Sequence, residues 1–192
     1  MNKRHSYIPS QFRAVEEGDK KIVEGYFIVF NERTEMWPGF FEMIHPDAID
    51  DFSDVRALYN HNNDLVLGST LNDTLKLTKD ERGLKGSIEI NENDQEALNA
   101  YWRIQRGDIQ GCSFGFWPIS EEYIDSDDAT VAVVKRLELI EVSPCVFPAY
   151  PQTEIHARKK DYITEKERAL RAKQALLLAR MKGKSNGTKT SD

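Results

Sequence analysis

The sequence predicts an α+β fold built mostly from antiparallel strands, and three observations predict it. Short runs rich in Val, Ile, Phe and Tyr are separated by turn clusters such as Trp37-Pro38-Gly39, Asn62-Asn63-Asp64 and Asp125-Ser126-Asp127-Asp128. Convincing helical periodicity is confined to two places, residues 94–106 and 164–181. Strands and helices therefore do not alternate in the way a doubly wound parallel sheet requires.

Taken in order, residues 1–20 read as a lead-in, with a strand near 12–15. Residues 21–30 are rich in Ile, Val, Tyr and Phe and read as a strand. A turn at Trp37-Pro38-Gly39 precedes a short apolar run, 40–44. Pro46 then opens one or two helical turns, the first helical position being the one that tolerates proline. Residues 55–60 form the next strand, ending at His61, and Asn62-Asn63-Asp64 makes the turn before an extended 65–70. Residues 74–78 and 84–90 alternate about Lys79-Asp80-Glu81-Arg82-Gly83 and read as a hairpin. In the helix 94–106, Ala97, Leu98, Tyr101, Trp102 and Ile104 give the period and Gly107 the stop signal. Two extended stretches follow, 109–119 and 129–142, and Pro144, Pro148 and Pro151 argue against regular structure until Thr153. Thr164 is the expected N-cap of the last helix, with Glu167 closing a capping box. The Gly/Ser/Asn/Thr/Lys-rich end, 183–192, has a disordered composition.

The 192 residues suit one domain plus a tail. No apolar run is long enough to cross a membrane, and residues 1–11 lack the apolar segment of a secretory signal. The two cysteines, Cys112 and Cys145, are expected to be reduced thiols, and no Cys or His cluster has the spacing of a zinc site, so neither metal nor cofactor is expected. The net charge of −6 conceals an asymmetry. Residues 1–157 carry 15 basic and 28 acidic side chains, a net of −13, whereas residues 158–192 carry 11 and 4, a net of +7. An acidic body repels phosphates and argues against nucleic acid as the partner; docking of the basic tail on an acidic protein surface fits better.

Three residues in separate strand-like stretches suit nucleophilic catalysis: His61 in Asn60-His61-Asn62, Ser113 in Gly111-Cys112-Ser113-Phe114-Gly115, and Glu141 in Ile140-Glu141-Val142-Ser143. A serine needs a base within hydrogen-bond reach, and the base needs an acid to fix its tautomer and stabilise its charge. Leu137, Leu139 and Glu141 fall on one face of a regular strand, so Glu141 is expected to be buried and to need a partner. Gly-Cys-Ser-Phe-Gly fits the nucleophile-elbow pattern of α/β-hydrolases, but Pro118 follows where a helix must start, which counts against an esterase of that fold. Cys112 would point to the opposite face from Ser113, into the core, and no electropositive setting marks either thiol as reactive. Of the other histidines, His45 beside Pro46 reads as structural, His156 lies at the domain edge and His5 in the lead-in.

The ordered set Gly25-Tyr26, Phe30-Asn31, His45-Pro46, Asn60-His61, Leu67-Gly68, Gly83-Leu84, Ser113-Phe114-Gly115-Phe116, Glu141-Val142-Ser143 and Pro148-Ala149-Tyr150-Pro151 spans roughly two thirds of the chain. It resembles the prohead maturation proteases of tailed bacteriophages. The resemblance implies His61 as base, Ser113 as nucleophile and Glu141, the acid preceding Val-Ser, as the third member. That family is in turn similar to the herpesvirus assembly proteases, whose third member is a second histidine; this chain offers none in the matching stretch. The resemblance also implies a small, distorted, mostly antiparallel β-barrel flanked by helices, herpesvirus-protease-like, with a C-terminal helical tail. Residues 21–157 would be the protease domain and 158–192 the tail. The implied function is a serine endopeptidase cleaving capsid precursor and scaffold proteins, and itself near 157–162, inside proheads assembling in the host cytoplasm, with a homo-oligomer as a further option. By analogy with the herpesvirus enzymes, backbone donors after Pro144 are candidates for the oxyanion hole, which the residues alone do not locate. The alternative is a non-enzymatic scaffold or capsid-assembly protein on the same fold.

Overall fold

The structure is a computed structural model that describes residues 4–9 and 13–147 and, in the tail, 162–164, 166–168, 170–176 and 179. The chain divides into two units, Met1–Tyr150 and Pro151–Asp192.

The first unit is mostly strand, with few helices, and its strands fall into two sheets. The larger follows the order β1 (Arg4–Pro9), β10 (Gly111–Asp125), β11 (Thr130–Cys145), β5 (Phe40–Ile44) and β4 (Thr34–Trp37). A hairpin of β6 (Arg56–Tyr59) and β7 (Asn62–Ser69) joins the same sheet through β6. The smaller sheet runs β2 (Arg13–Glu17), β3 (Lys20–Val29), β9 (Gly83–Glu89) and β8 (Leu75–Lys79). The helix α1 (Gln95–Arg106) starts at Asp94, whose carboxylate accepts from the N–H groups of Glu96 and Ala97, and stops at Gly107, which takes the left-handed conformation at φ 87°. Both sheets and α1 share one core: Val23 and Phe27 of β3, Leu84 and Ile88 of β9, Tyr101 and Ile104 of α1, and Phe114, Phe116, Leu139 and Val142 of the long pair are all buried in it.

β11 organises the larger sheet. One edge pairs with β10 along almost its whole length. The other edge is divided: residues 130–134 pair in parallel with β5, and Glu141 and Val142 pair in parallel with Arg56 and Ala57 of β6. The Cα register of β10 and β11 shifts between Gly115, opposite Glu141, and Phe116, opposite Leu139. Ile140 is the extra residue of this bulge, and an extra residue reverses the alternation of faces.

Most expected elements are present, but several differ. Residues 4–9, read as lead-in, form β1 and pair with β10. Pro144 does not end the extended chain; β11 continues through it to Cys145. In the tail, residues 162–164 are already helical, so Thr164 is not the N-cap. Residues 183–192 and the 157–161 stretch lie outside the described residues. No helix among the described residues is long and apolar enough to cross a membrane.

Gly83 permits a close approach between β9 and β3. A Cβ there would stand 2.0 Å from the Ile28 carbonyl oxygen, so backbone would have to move. Gly83→Ala is expected to lower unfolding free energy by roughly 2 kcal/mol or more, read by urea denaturation.

Candidate active site

Asn60 and His61 form the two-residue turn between β6 and β7, and Tyr59 and Asn62 pair across it. Both residues have positive φ, 52° and 59°. This is the backbone of a tight hairpin turn, for which asparagine is well suited. The turn therefore falls two residues earlier than the Asn62-Asn63-Asp64 cluster suggested. Left-handed backbone costs a non-glycine residue about 1–2 kcal/mol, and nearby contacts hold it in place. The Asn60 N–H donates to the Pro144 carbonyl at 3.1 Å, and the Asn60 side-chain oxygen accepts from the Val146 N–H at 3.0 Å.

The turn is fastened to β11 by a closed circuit of three hydrogen bonds. The His61 main-chain N–H donates to Ser143 Oγ at 3.3 Å. The Ser143 hydroxyl donates to Glu141 Oε2 at 2.6 Å. The His61 ring returns to the same carboxylate, with Nδ1 2.7 Å from Oε1. Glu141 is 1% exposed, and each of its oxygens has a donor, which is what a buried carboxylate requires. Because the carboxylate only accepts, His61 Nδ1 carries a proton, and in the neutral ring Nε2 then holds the lone pair. Nε2 is buried and hydrogen-bonds to none of the described groups.

Ser113 is fully buried in β10, and its Cα partner across β11 is Ser143. Residues directly opposite in an antiparallel pair share a face. Ser113, Gly115, Glu141 and Ser143 therefore lie on one face, and Phe114 and Val142 on the other, in the core. The bulge at Ile140 corrects one expectation. Leu137 and Leu139 pair with Pro118 and Phe116 and join the core, so Glu141 points away from them rather than with them. It is buried as expected, but by the site and not by the leucines.

The structure thus brings His61 and Glu141 into direct contact and puts Ser113 on the same face, opposite the serine that links them. Two residues of this cluster were not singled out from sequence. Ser143 carries no signal beyond standing after Glu141-Val142. His5, assigned to the lead-in, sits on β1 with its ring 4.2 Å from that of His61 and its Nε2 3.5 Å from Glu141 Oε1. Ligand atoms of His5, His61 and Glu141 lie within 4.8 Å of one another, a grouping that could hold a cation only by giving up the His61–Glu141 hydrogen bond. His45 is structural, as read: its Nδ1 accepts from the Asp47 N–H and caps a 3₁₀ turn, Pro46–Ala48. His156 lies outside the described residues.

Both thiols are buried and free. Cys112 lies in the core, where burial first and then neighbouring Cys145 push its pKa well above the ordinary range. Burial first and then the Glu141 charge push Cys145 up to about 11. Both are protonated thiols at neutral pH and poor nucleophiles. A cleft of about 610 Å³ lined by Asp51, Trp117, Arg136 and Leu139, among others, includes none of His61, Ser113 and Glu141.

Serine, histidine and carboxylate are the residue types that a serine hydrolase uses. The sequence matches the caudovirus prohead serine protease family over residues 9–168, and the chain belongs to that family. It is accordingly a serine protease of phage head maturation. No curated protein and no solved structure matches it.

Removing the Ser143 hydroxyl would leave Glu141 Oε2 buried with a donor lost. Ser143→Ala is expected to reduce stability by about 1–3 kcal/mol, measured by urea denaturation. Alkylation with iodoacetamide at pH 7.5 should modify neither Cys112 nor Cys145 in the folded protein, as read by intact mass.

Proposed function

We propose that Ser113 is the nucleophile, His61 the general base and Glu141 the residue that orients His61, in an endopeptidase whose substrates are the capsid precursor and scaffold proteins of its phage and, in the tail, the chain itself. The observation that carries this reading is the three-bond circuit, which leaves the Nε2 lone pair of His61 as the free base of a ring held over the Ser113 face. Ser113 Oγ attacks the scissile carbonyl as its proton passes to His61 Nε2. Glu141 stabilises the imidazolium through the Nδ1 bond. The tetrahedral intermediate collapses, the His61 proton goes to the departing amine, and an acyl-Ser113 remains. Water, deprotonated by His61, then releases the acid.

The two sheets about one core support a herpesvirus-protease-like architecture for the first unit, in which β1 and β2 extend the protease domain before residue 21. The donors of the oxyanion hole are not assigned; the Val146 N–H, in the stretch after Pro144, is already given to Asn60. The tail from 158 onward is the removable targeting segment in this reading. Its basic charge and the exposed Ile163, Leu170 and Leu176 on described helical positions support docking on an acidic scaffold or capsid precursor. The proposed self-cleavage stretch, 157–162, lies almost wholly outside the described residues.

Ser113→Ala should abolish cleavage of coexpressed capsid precursor, a loss of at least about 10⁴-fold, with the fold unchanged by circular dichroism. Normal processing by this variant, read by mass spectrometry of the capsid protein, would return the chain to a scaffold role. His61→Ala and Glu141→Gln should be strongly non-additive, since they act as one unit. The value of kcat/KM should fall as the medium is acidified, because a protonated Nε2 cannot accept the serine proton; a flat acid limb would remove His61 as base.

A further inference from the structure

Ser113 has no solvent exposure, yet a serine that attacks a peptide bond must be reached by a polypeptide. One edge of its strand is taken by β11. The other is taken by β1, which pairs antiparallel with β10 from Arg4 opposite Phe116 to Pro9 opposite Gly111 and sets Tyr7 opposite Ser113. β1 therefore lies where an incoming extended chain would form main-chain hydrogen bonds beside the serine. It is itself an edge strand: among the described residues no strand pairs with its far side.

Among the described side chains of β1, two hold it down. Arg4 is 7% exposed and forms an ion pair with Glu121 of β10. Burial alone would lower its pKa, but the charge and hydrogen bond of Glu121, with the Glu42 charge, outweigh that and raise it. His5 lies against His61 and Glu141. The match to the family begins at residue 9, so β1 lies almost wholly before the matched region.

We propose that the outer edge of β10, residues 111–116, is the site at which the substrate pairs as an extended polypeptide segment, and that β1 is its resident occupant, which leaves before substrate enters. The proposal rests on the assignment of Ser113 as nucleophile. The ligand class is a polypeptide recognised through its main chain, entering antiparallel to β10 as β1 does. Binding then costs the β1–β10 ladder and returns an equivalent one, so the exchange is nearly balanced in main-chain hydrogen bonds. The side-chain anchors at Arg4 and His5 set the bias toward the occupied state.

The test uses the full-length protein and a fluorophosphonate probe, whose phosphorus bonds to the serine oxygen as fluoride ion departs and the hydroxyl proton passes to the base; labelling is read by intact mass and peptide mapping. Arg4→Glu removes the guanidinium from Glu121 and puts like charges together. It should speed labelling of Ser113 at least tenfold while circular dichroism stays native. Position 8 lies opposite Cys112, so Ile8→Cys allows a disulfide across the two strands. Oxidised, this variant should not label; dithiothreitol should restore labelling, and wild type should respond to neither reagent. Should Arg4→Glu fail to fold, the Ile8→Cys pair decides alone. Equal labelling of locked and reduced Ile8→Cys would overturn the proposal and leave the nucleophile standing. Absence of labelling at Ser113 in every form, with the amides of residues 4–9 exchanging freely with deuterium, would instead overturn the nucleophile, and the proposal with it.

Discussion

The site depends on one closed circuit of hydrogen bonds between a hairpin turn and a neighbouring strand. A turn with two positive-φ residues in succession is strained, at roughly 1–2 kcal/mol for each non-glycine residue. Hydrogen bonds to a charged group contribute about 1.5–3 kcal/mol each. The His61 ring bond to Glu141, the His61 N–H bond to Ser143 and the contacts of Asn60 with Pro144 and Val146 together offset the strain. The circuit also removes freedom from the turn and the ring together. The His61 main chain and ring are tied to the same two residues, 141 and 143, so the turn and the imidazole cannot shift independently.

Those two residues belong to β11, and its divided outer edge explains why the hairpin arrives there. β5 occupies the first part of the edge, and β6 takes the part beside Glu141 and Val142. Because β6 runs parallel to β11, the end of β6 reaches the level of Ser143 and Pro144 when the chain turns. The pairing of Arg56 with Glu141 thus sets the height of His61 five residues later. Core packing enforces that pairing: Ala57 and Val142, partners across it, are both fully buried.

Much of this was legible in the sequence where the signal is local. The helix 94–106 has a capping aspartate, an apolar period and a terminal glycine, and it forms. The hairpins are marked by turn residues, and the charged run 125–128 joins β10 to β11. His61, Ser113 and Glu141 stood out through the ordered motif set, not through any property of the residues alone. What was missed is non-local. His5 lies 56 residues before His61 in the chain, and β1 pairs with a strand more than 100 residues away; nothing in Arg4-His5-Ser6-Tyr7 marks that partner. The turn position was misjudged because Asn60, Asn62 and Asn63 are near-equal turn formers, and the choice between them is made by Pro144 and Val146 across the sheet.

The face of Glu141 shows how little the alternation rule can say without register. Counting by twos from Leu137 and Leu139 puts Glu141 with them, toward the core, where its charge would face phenylalanines. One unpaired residue, Ile140, reverses the count. Just before it, Leu137 and Leu139 face the core with Phe116; after it, Val142 faces the core with Phe114, and Glu141 and Ser143 face Ser113 and Gly115. The same short stretch of β10 then separates two chemistries by alternation alone: Cys112, Phe114 and Phe116 pack, while Ser113 and Gly115 lie with the polar network. A slip of one residue in either strand would bury the carboxylate among aromatic rings and strip the imidazole of its acid. The bulge therefore decides which face of the sheet the Glu141 carboxylate occupies.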